Sequence, residues 1–221
     1  MIQETIRNLT SELPQGVRLV AVSKFHPCEA IMEAYEAGQR IFGESKVQEM
    51  ADKYEKLPKD IQWHFIGHLQ TNKIKYMAPF VAMIHGIDSY RLLEEVNKHA
   101  AKARRTIPCL LQIHIAQEET KFGFSFEECK DMLAKGDWRQ LQNIRLAGIM
   151  GMATNTDNTQ QITDEFRSLS DFFQEIKNTY FKEDDCFCEI SMGMTHDYHL
   201  AVEQGSTLVR IGTKIFGERN Y

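Results

Sequence analysis

The sequence predicts an α/β fold, a single (β/α)8 TIM barrel built from residues 1–221. Three observations lead there. About eight short apolar runs recur along the chain, helical patterns separate most of them, and no Pro/Gly/Ser-rich linker, internal repeat or low-complexity tract interrupts them. Strands alternating with helices build a parallel sheet, and eight such strands close most simply into a barrel. With 221 residues, 43% of them hydrophobic, the chain can bury one substantial core.

Before the first strand, Ile2, Ile6, Leu9 and Leu13 fall at helical spacing and predict an N-terminal helix. The first strand is the apolar run Val17-Arg18-Leu19-Val20-Ala21-Val22-Ser23-Lys24, read as buried and ending in an amine at the rim of the sheet. Residues Ala30 to Ala37 carry helical periodicity and stop at Gly38, a plausible terminator. Further strands are expected at Arg40–Gly43, Gln62–Ile66, Val81–Ile87, Pro108–Ile115, Arg145–Met150, Phe187–Ser191 and Leu208–Ile211. Between them, helices are expected at Ser89–Arg104, Ser125–Leu133, Thr159–Tyr180 and Tyr198–Gln204, with Asn155–Gln161 as a loop. Only nine residues follow Gly212, and part of them reads as strand-like or apolar. The N-terminal helix is therefore expected to help cover the seam between the last strand and the first.

Composition removes several classes of function. A net charge of -5 gives no global attraction to nucleic acid or anionic lipid, so a bound anion would need a local pocket. No charged-then-apolar leader follows Met1 and no apolar stretch is long enough to span a bilayer, which points to a cytoplasmic protein without a membrane partner. Five cysteines suit a reducing compartment, and Cys186-x-Cys188 is a weak metal or redox motif. The pairs His64 with His68 and His196 with His199 lack the carboxylate or thiol that would complete a ligand set, so no metal is expected. Gly-x-Ser-x-Gly, Walker and dinucleotide-binding glycine motifs are absent. Glu44, Glu118 and Glu189 lie near strand ends, where structural ion pairs explain them as well as acid–base catalysis does.

Barrels of this type carry their chemistry at the C-terminal ends of the strands, and the loops after the last two strands often hold phosphate. Lys24 ends the first strand. Ser191-Met192-Gly193-Met194-Thr195 ends the seventh, offering hydroxyls and a pliable backbone. Arg210-Ile211-Gly212-Thr213 ends the eighth, where Gly212 permits close approach and Thr213 offers an amide and a hydroxyl. Each element alone has an ordinary reading: a snorkelling surface lysine, a routine glycine turn, an arginine paired with a carboxylate. Together they suit an aldehyde that bears a phosphate.

Several longer motifs add a resemblance. Val22-Ser23-Lys24-Phe25-His26-Pro27, Phe42-Gly43-Glu44-Ser45, Trp63-His64-Phe65-Ile66-Gly67-His68-Leu69-Gln70-Thr71-Asn72-Lys73, Gly148-Ile149-Met150, Ser191 to Thr195 and Val209 to Gly217 resemble the pyridoxal phosphate homeostasis protein family, formerly called alanine-racemase-like. The resemblance runs nearly end to end. It implies the fold-type III barrel of the alanine racemase N-terminal domain, with pyridoxal 5'-phosphate (PLP) held as an internal aldimine on Lys24. It further implies that Arg210 faces the pyridine nitrogen, that Ser191, Gly212 and Thr213 hold the phosphate, and that Met150 and Ser45 lie near the ring. Most relatives read asparagine where this chain has Ser45, and Thr120-Lys121-Phe122-Gly123-Phe124 resembles a family loop in which Lys121 has no assigned role.

A guanidinium only donates hydrogen bonds, so an arginine against the ring nitrogen keeps that nitrogen unprotonated and the ring a weaker electron sink. Racemases that resemble this barrel add a C-terminal β-domain that contributes a tyrosine, and no room for one is expected after Gly212. The expected function is thus intracellular storage and delivery of PLP by a monomer, with PLP-dependent apo-enzymes as partners and little turnover of amino acids. The alternatives are a PLP-dependent racemase or another Schiff-base enzyme of low activity, and a regulatory module that senses the cofactor.

Overall fold

A computed structural model describes residues 1–118 and 122–218. Among them, eight parallel strands close into a barrel in chain order: β1 (Arg18–Val22), β2 (Ile41–Glu44), β3 (Gln62–Phe65), β4 (Met83–Ile87), β5 (Ile107–Ile113), β6 (Ile144–Gly151), β7 (Glu189–Met194) and β8 (Leu208–Ile211). Around them run α1 (Ile2–Glu12), α2 (Cys28–Glu36), α3 (Val47–Lys56), α4 (Ile74–Met77), α5 (Tyr90–Lys102), α6 (Phe126–Lys135), α7 (Thr159–Tyr180), α8 (Tyr198–Glu203) and α9 (Thr213–Phe216). Three of these helices start where a side chain accepts from an orphan amide. The Ser89 and Asn158 side chains cap α5 and α7, and Ser125 and Glu128 form a reciprocal capping box at α6.

Strand alternation sorts the side chains into two populations. Leu19, Ala21, Phe42, Trp63, Phe65, Ile84 and Leu111 point outward into a continuous apolar layer under the helices. Val20, Met83, Leu110, Ala147, Met150 and Leu208 form a smaller cluster inside the barrel. His64, His85, Gln112, Ser191 and Arg210 are also buried and give the interior a polar wall.

Closure rests on β1 and β8, which pair in parallel with Val20 beside Arg210 and Ala21 beside Ile211. The N-terminal helix lies where the sequence places it. Ile6 and Leu9 are fully buried, and α1 packs on α2 and α9. Tyr198 of α8 donates to Glu12 at 3.2 Å, and Lys214 of α9 donates to Tyr198 at 2.7 Å, so one polar knot ties the first helix to the last two.

Several boundaries differ from the sequence reading. The first strand stops at Val22 rather than Lys24, because Phe25 turns into the left-handed region at φ 68°. The seventh strand runs Glu189–Met194, not Phe187–Ser191. Phe187 leaves the ladder to stack on Phe181 and Phe173. The stretch after β8 is not strand-like but forms the helical turn α9. Helix α3, rich in charge yet burying Val47, Met50 and Lys53, escaped the periodicity reading. Lys121 lies outside the described residues.

One glycine anchors the β6–β7 contact. Gly148 sits at φ +152°, and a Cβ there would stand 1.8 Å from the carbonyl oxygen of Glu189. Gly148→Ala should therefore destabilise the fold by about 3 kcal/mol, measured as a lowered midpoint of urea unfolding with an unchanged slope.

Candidate functional site

The mouth of the barrel is assembled by the register of β1 against β8. Alternation sends Val20 inward and Leu19 and Ala21 outward. On the same count position 24 belongs to the inward set and Ser23 to the outward set, where the Ser23 hydroxyl indeed donates to Glu44 at 2.6 Å. Continuing the register brings Gly212 beside Val22. A Cβ on Gly212 would meet the Val22 Cβ and carbonyl oxygen at 3.2 Å, so the two strand ends touch because this position carries no side chain. Lys24, two residues beyond Val22, is half-buried, and Thr213, next to Gly212, is exposed. Beyond the turn, His26 stacks on Phe216 with ring centroids 5.0 Å apart, joining the loop that carries Lys24 to α9.

Arg210 points into the barrel from β8 and is 4% exposed. Its Nη1 donates to the Ser191 hydroxyl at 2.5 Å and its Nη2 to the Gly151 carbonyl at 3.1 Å. Burial pulls the guanidinium down to about 10, with Asp197 opposing, so Arg210 stays protonated at neutral pH. Ser191 Oγ lies 2.9 Å from His85 Nδ1, and His85 Nε2 lies 2.9 Å from His64 Nδ1. The donor-only guanidinium fixes its own end of this row, where Ser191 Oγ accepts from Arg210, and the tautomer of each imidazole sets the sense of the other two contacts. Both imidazoles are neutral: burial holds His85 well below its ordinary value and pushes His64 down to about 3.

Ser191, expected among the phosphate residues, is fully buried and hydrogen-bonded to Arg210, with His85 2.9 Å away. Its inward parity, opposite Met150 and Leu208, carries it below the mouth. The register shift between Ser191 and Met194, with Gly193 at φ +92°, then brings the next hydroxyl of that segment to the edge. That hydroxyl is Thr195 Oγ1, 3.4 Å from the Gly212 amide. Gly193 is the one sequence signal for this switch. Met150 is 1% exposed and belongs to the interior cluster, and half-buried Ser45 lends its backbone to a close contact with Gly67.

The carboxylates near the strand ends are structural. Glu44 pairs with Lys53 at 2.8 Å, Glu189 pairs with Arg18, and Glu118 accepts from the Asn155 amide at 3.0 Å. Among the described residues, no group of three or more His, Cys, Asp or Glu could hold a metal ion, and no helix is long and apolar enough to cross a membrane.

A closed parallel barrel with a lysine at the first strand's end, a buried arginine on the last and a glycine turn beside both defines a barrel of the alanine racemase N-terminal type. The family described as "Alanine racemase, N-terminal domain" matches residues 1–220. The pyridoxal phosphate homeostasis protein of Aquifex aeolicus is 38% identical over 205 residues, which cover 92% of this chain and 88% of that one. PipY of Synechococcus elongatus, solved without PLP and with PLP bound, is 35% identical. Each structure covers 98% of this chain and 100% of its own, with TM-scores of 0.92 and 0.89. An alanine racemase from Bartonella henselae shares the fold at 15% identity and a TM-score of 0.72, over 99% of this chain and 58% of its own. This chain belongs to the pyridoxal phosphate homeostasis protein family.

The neutral buried histidines set an acid limit on stability. An unfolded histidine titrates near 6.5 and folded His64 near 3, so between these values the unfolded chain binds more protons and stability falls as the pH drops. The slope is about 1.4 kcal/mol per pH unit for this residue. Glu44, raised to about 7, contributes a slope of opposite sign between 4.5 and 7, so the informative quantity is the difference between proteins. His64→Gln should unfold in urea with a weaker dependence on pH between 6.5 and 4 than the parent chain.

Proposed function

We propose that this protein binds pyridoxal 5'-phosphate through Lys24 and serves its storage and delivery within the cytoplasm. The observation that carries this reading is the β1–β8 register. It sets an amine, a donor-only guanidinium and a glycine turn around one mouth. These residues fit a phosphorylated pyridine aldehyde. Lys24 is the amine for the carbonyl, and Arg210 donates toward the ring nitrogen. Thr195, Gly212 and Thr213 offer two hydroxyls and the amides heading α9 to the phosphate. Met150 of the interior cluster and half-buried Ser45, next to β2, would lie near the ring. PLP, when bound, supplies an electron-withdrawing ring conjugated to its carbonyl carbon.

The residues of the chain restrain that chemistry. Arg210 is protonated, has no lone pair to accept with, and is held from behind by Ser191 and the Gly151 carbonyl. A ring nitrogen facing it remains unprotonated, and electron withdrawal is weakened relative to a site with a carboxylic acid there. This favours holding the cofactor over turning over amino acids. The partners are then PLP and the PLP-dependent apo-enzymes that receive it from a monomeric carrier. The names and bound state of the relatives support this reading: homeostasis proteins at 38% identity and a PipY structure with PLP bound.

A visible absorption band should develop when the purified chain is mixed with PLP, and borohydride should fix the cofactor's mass on the peptide containing Lys24. Lys24→Ala should show neither; a retained band in that variant refutes the assignment. Thr213→Val should weaken PLP binding about tenfold, the size of one lost hydrogen bond to a charged group. Incubation with L-amino acids in deuterated water should give little α-proton exchange, and rapid exchange would establish a racemase-type enzyme instead.

A further inference from the structure

The two residues flanking Lys24 are gripped by a charged cluster on the far side of the sheet from the mouth. Lys53 of α3 is 6% exposed. Its ammonium donates to the Ser23 carbonyl at 2.8 Å, to Glu44 Oε1 at 2.8 Å and to Glu49 Oε1 at 2.7 Å, spending all three of its hydrogens. The Ser23 hydroxyl donates to Glu44 Oε1 at 2.6 Å, and the Phe25 amide donates to Glu49 Oε1 at 2.6 Å. Ser23 is thus held by its side chain and its carbonyl, and Phe25 by its amide, with Lys24 between them.

Helix-on-sheet packing alone does not call for this arrangement. A buried ammonium with two carboxylates is costly to desolvate, and an apolar side chain would fill the same space at less expense. Glu44 is fully buried, and its Oε2 has no hydrogen-bond partner. The carboxyl is pushed up to about 7 by that burial, against the pull of Lys53. Phe25 meanwhile adopts a left-handed backbone at φ 68°, a conformation that an L-aromatic residue keeps only when its surroundings hold it. The cluster's hydrogen bonds to backbone atoms end on the two residues next to Lys24.

We propose that Glu44, Glu49 and Lys53 are positioning residues that lock the peptide on both sides of Lys24 and so deliver its amine to a fixed point at the barrel mouth. The proposal rests on the reading of Lys24 given above. When the amine condenses with an aldehyde, the Lys24 nitrogen forms a double bond to the carbonyl carbon, and the oxygen departs as water with the amine's two hydrogens. Holding the nitrogen in line removes an orientational search from that step while leaving ring and phosphate recognition to Arg210, Thr195 and the Gly212 turn.

Pyridoxine 5'-phosphate, which has the ring and phosphate but no carbonyl, separates positioning from binding. Glu49→Ala truncates a side chain that is 22% exposed. It should slow appearance of the visible PLP band about tenfold, speed hydrogen exchange of the Phe25 amide, and leave affinity for pyridoxine 5'-phosphate within about twofold. Glu49→Gln, which retains an acceptor for that amide, should recover most of the rate, and Lys53→Met should be slower than Glu49→Ala. An unchanged rate in Glu49→Ala overturns the proposal whether or not Lys53→Met folds. So does a parallel loss of pyridoxine 5'-phosphate affinity, which would mark a general structural role. If the parent chain forms no adduct, or Lys24→Ala still forms one, the reading of Lys24 itself fails.

Discussion

The pairing of β1 with β8 is the constraint from which the rest of the molecule follows. It joins chain segments nearly two hundred residues apart, and its register sets Val20 beside Arg210 and brings Gly212 against Val22, two residues before Lys24. A slip of one residue would turn Arg210 outward into the apolar layer under the helices. Two features hold the register. Gly212 lets the strand ends approach to van der Waals contact with Val22, and α1 bridges the seam through Glu12, Tyr198 and Lys214. The N-terminal helix therefore contributes to the site without touching it.

Around that seam the protein places charge where most barrels place aliphatic side chains. On the inner side, a hydrogen-bonded row from Arg210 through Ser191 and His85 to His64 satisfies polar atoms that would otherwise be stranded in an apolar interior. On the outer side, Lys53 neutralises Glu44 and Glu49 between the sheet and α3. The inner row has a donor-only guanidinium at one end and two imidazoles that burial keeps neutral at the other. The outer group exchanges solvation for a rigid grip on the β1–α2 turn. Both sets surround the end of the sheet at which Lys24 emerges.

Much of this was legible in the sequence because it is periodic. The strands read as short apolar runs, α1 as Ile2, Ile6 and Leu9 at helical spacing, and the strand-end Lys24 as a polar residue in an apolar context. What escaped depended on two-residue parity and on partners far away in the chain. Ser191 and Thr195 are four residues apart and look equivalent as hydroxyls. A bulge at Gly193 sends one beneath the mouth and the other to its edge. Nothing in the sequence singles out Lys53, and only the fold reveals that Ser23, Glu44 and Glu49 converge on it. His64 and His85 are 21 residues apart, and they meet because adjacent strands both turn them inward.

Closure of the sheet has one more consequence. Among the described residues each strand, β1 and β8 included, has a hydrogen-bonded neighbour on both flanks, so none of these strands offers an open ladder to a foreign chain. Sheets that end in bare edges invite strand-by-strand recruitment and fibre growth, and they need charges, prolines or covering loops to discourage it. The ring architecture removes that hazard by topology. The apolar strands can then stay rich in Val, Ile and Leu without gatekeeping residues of their own.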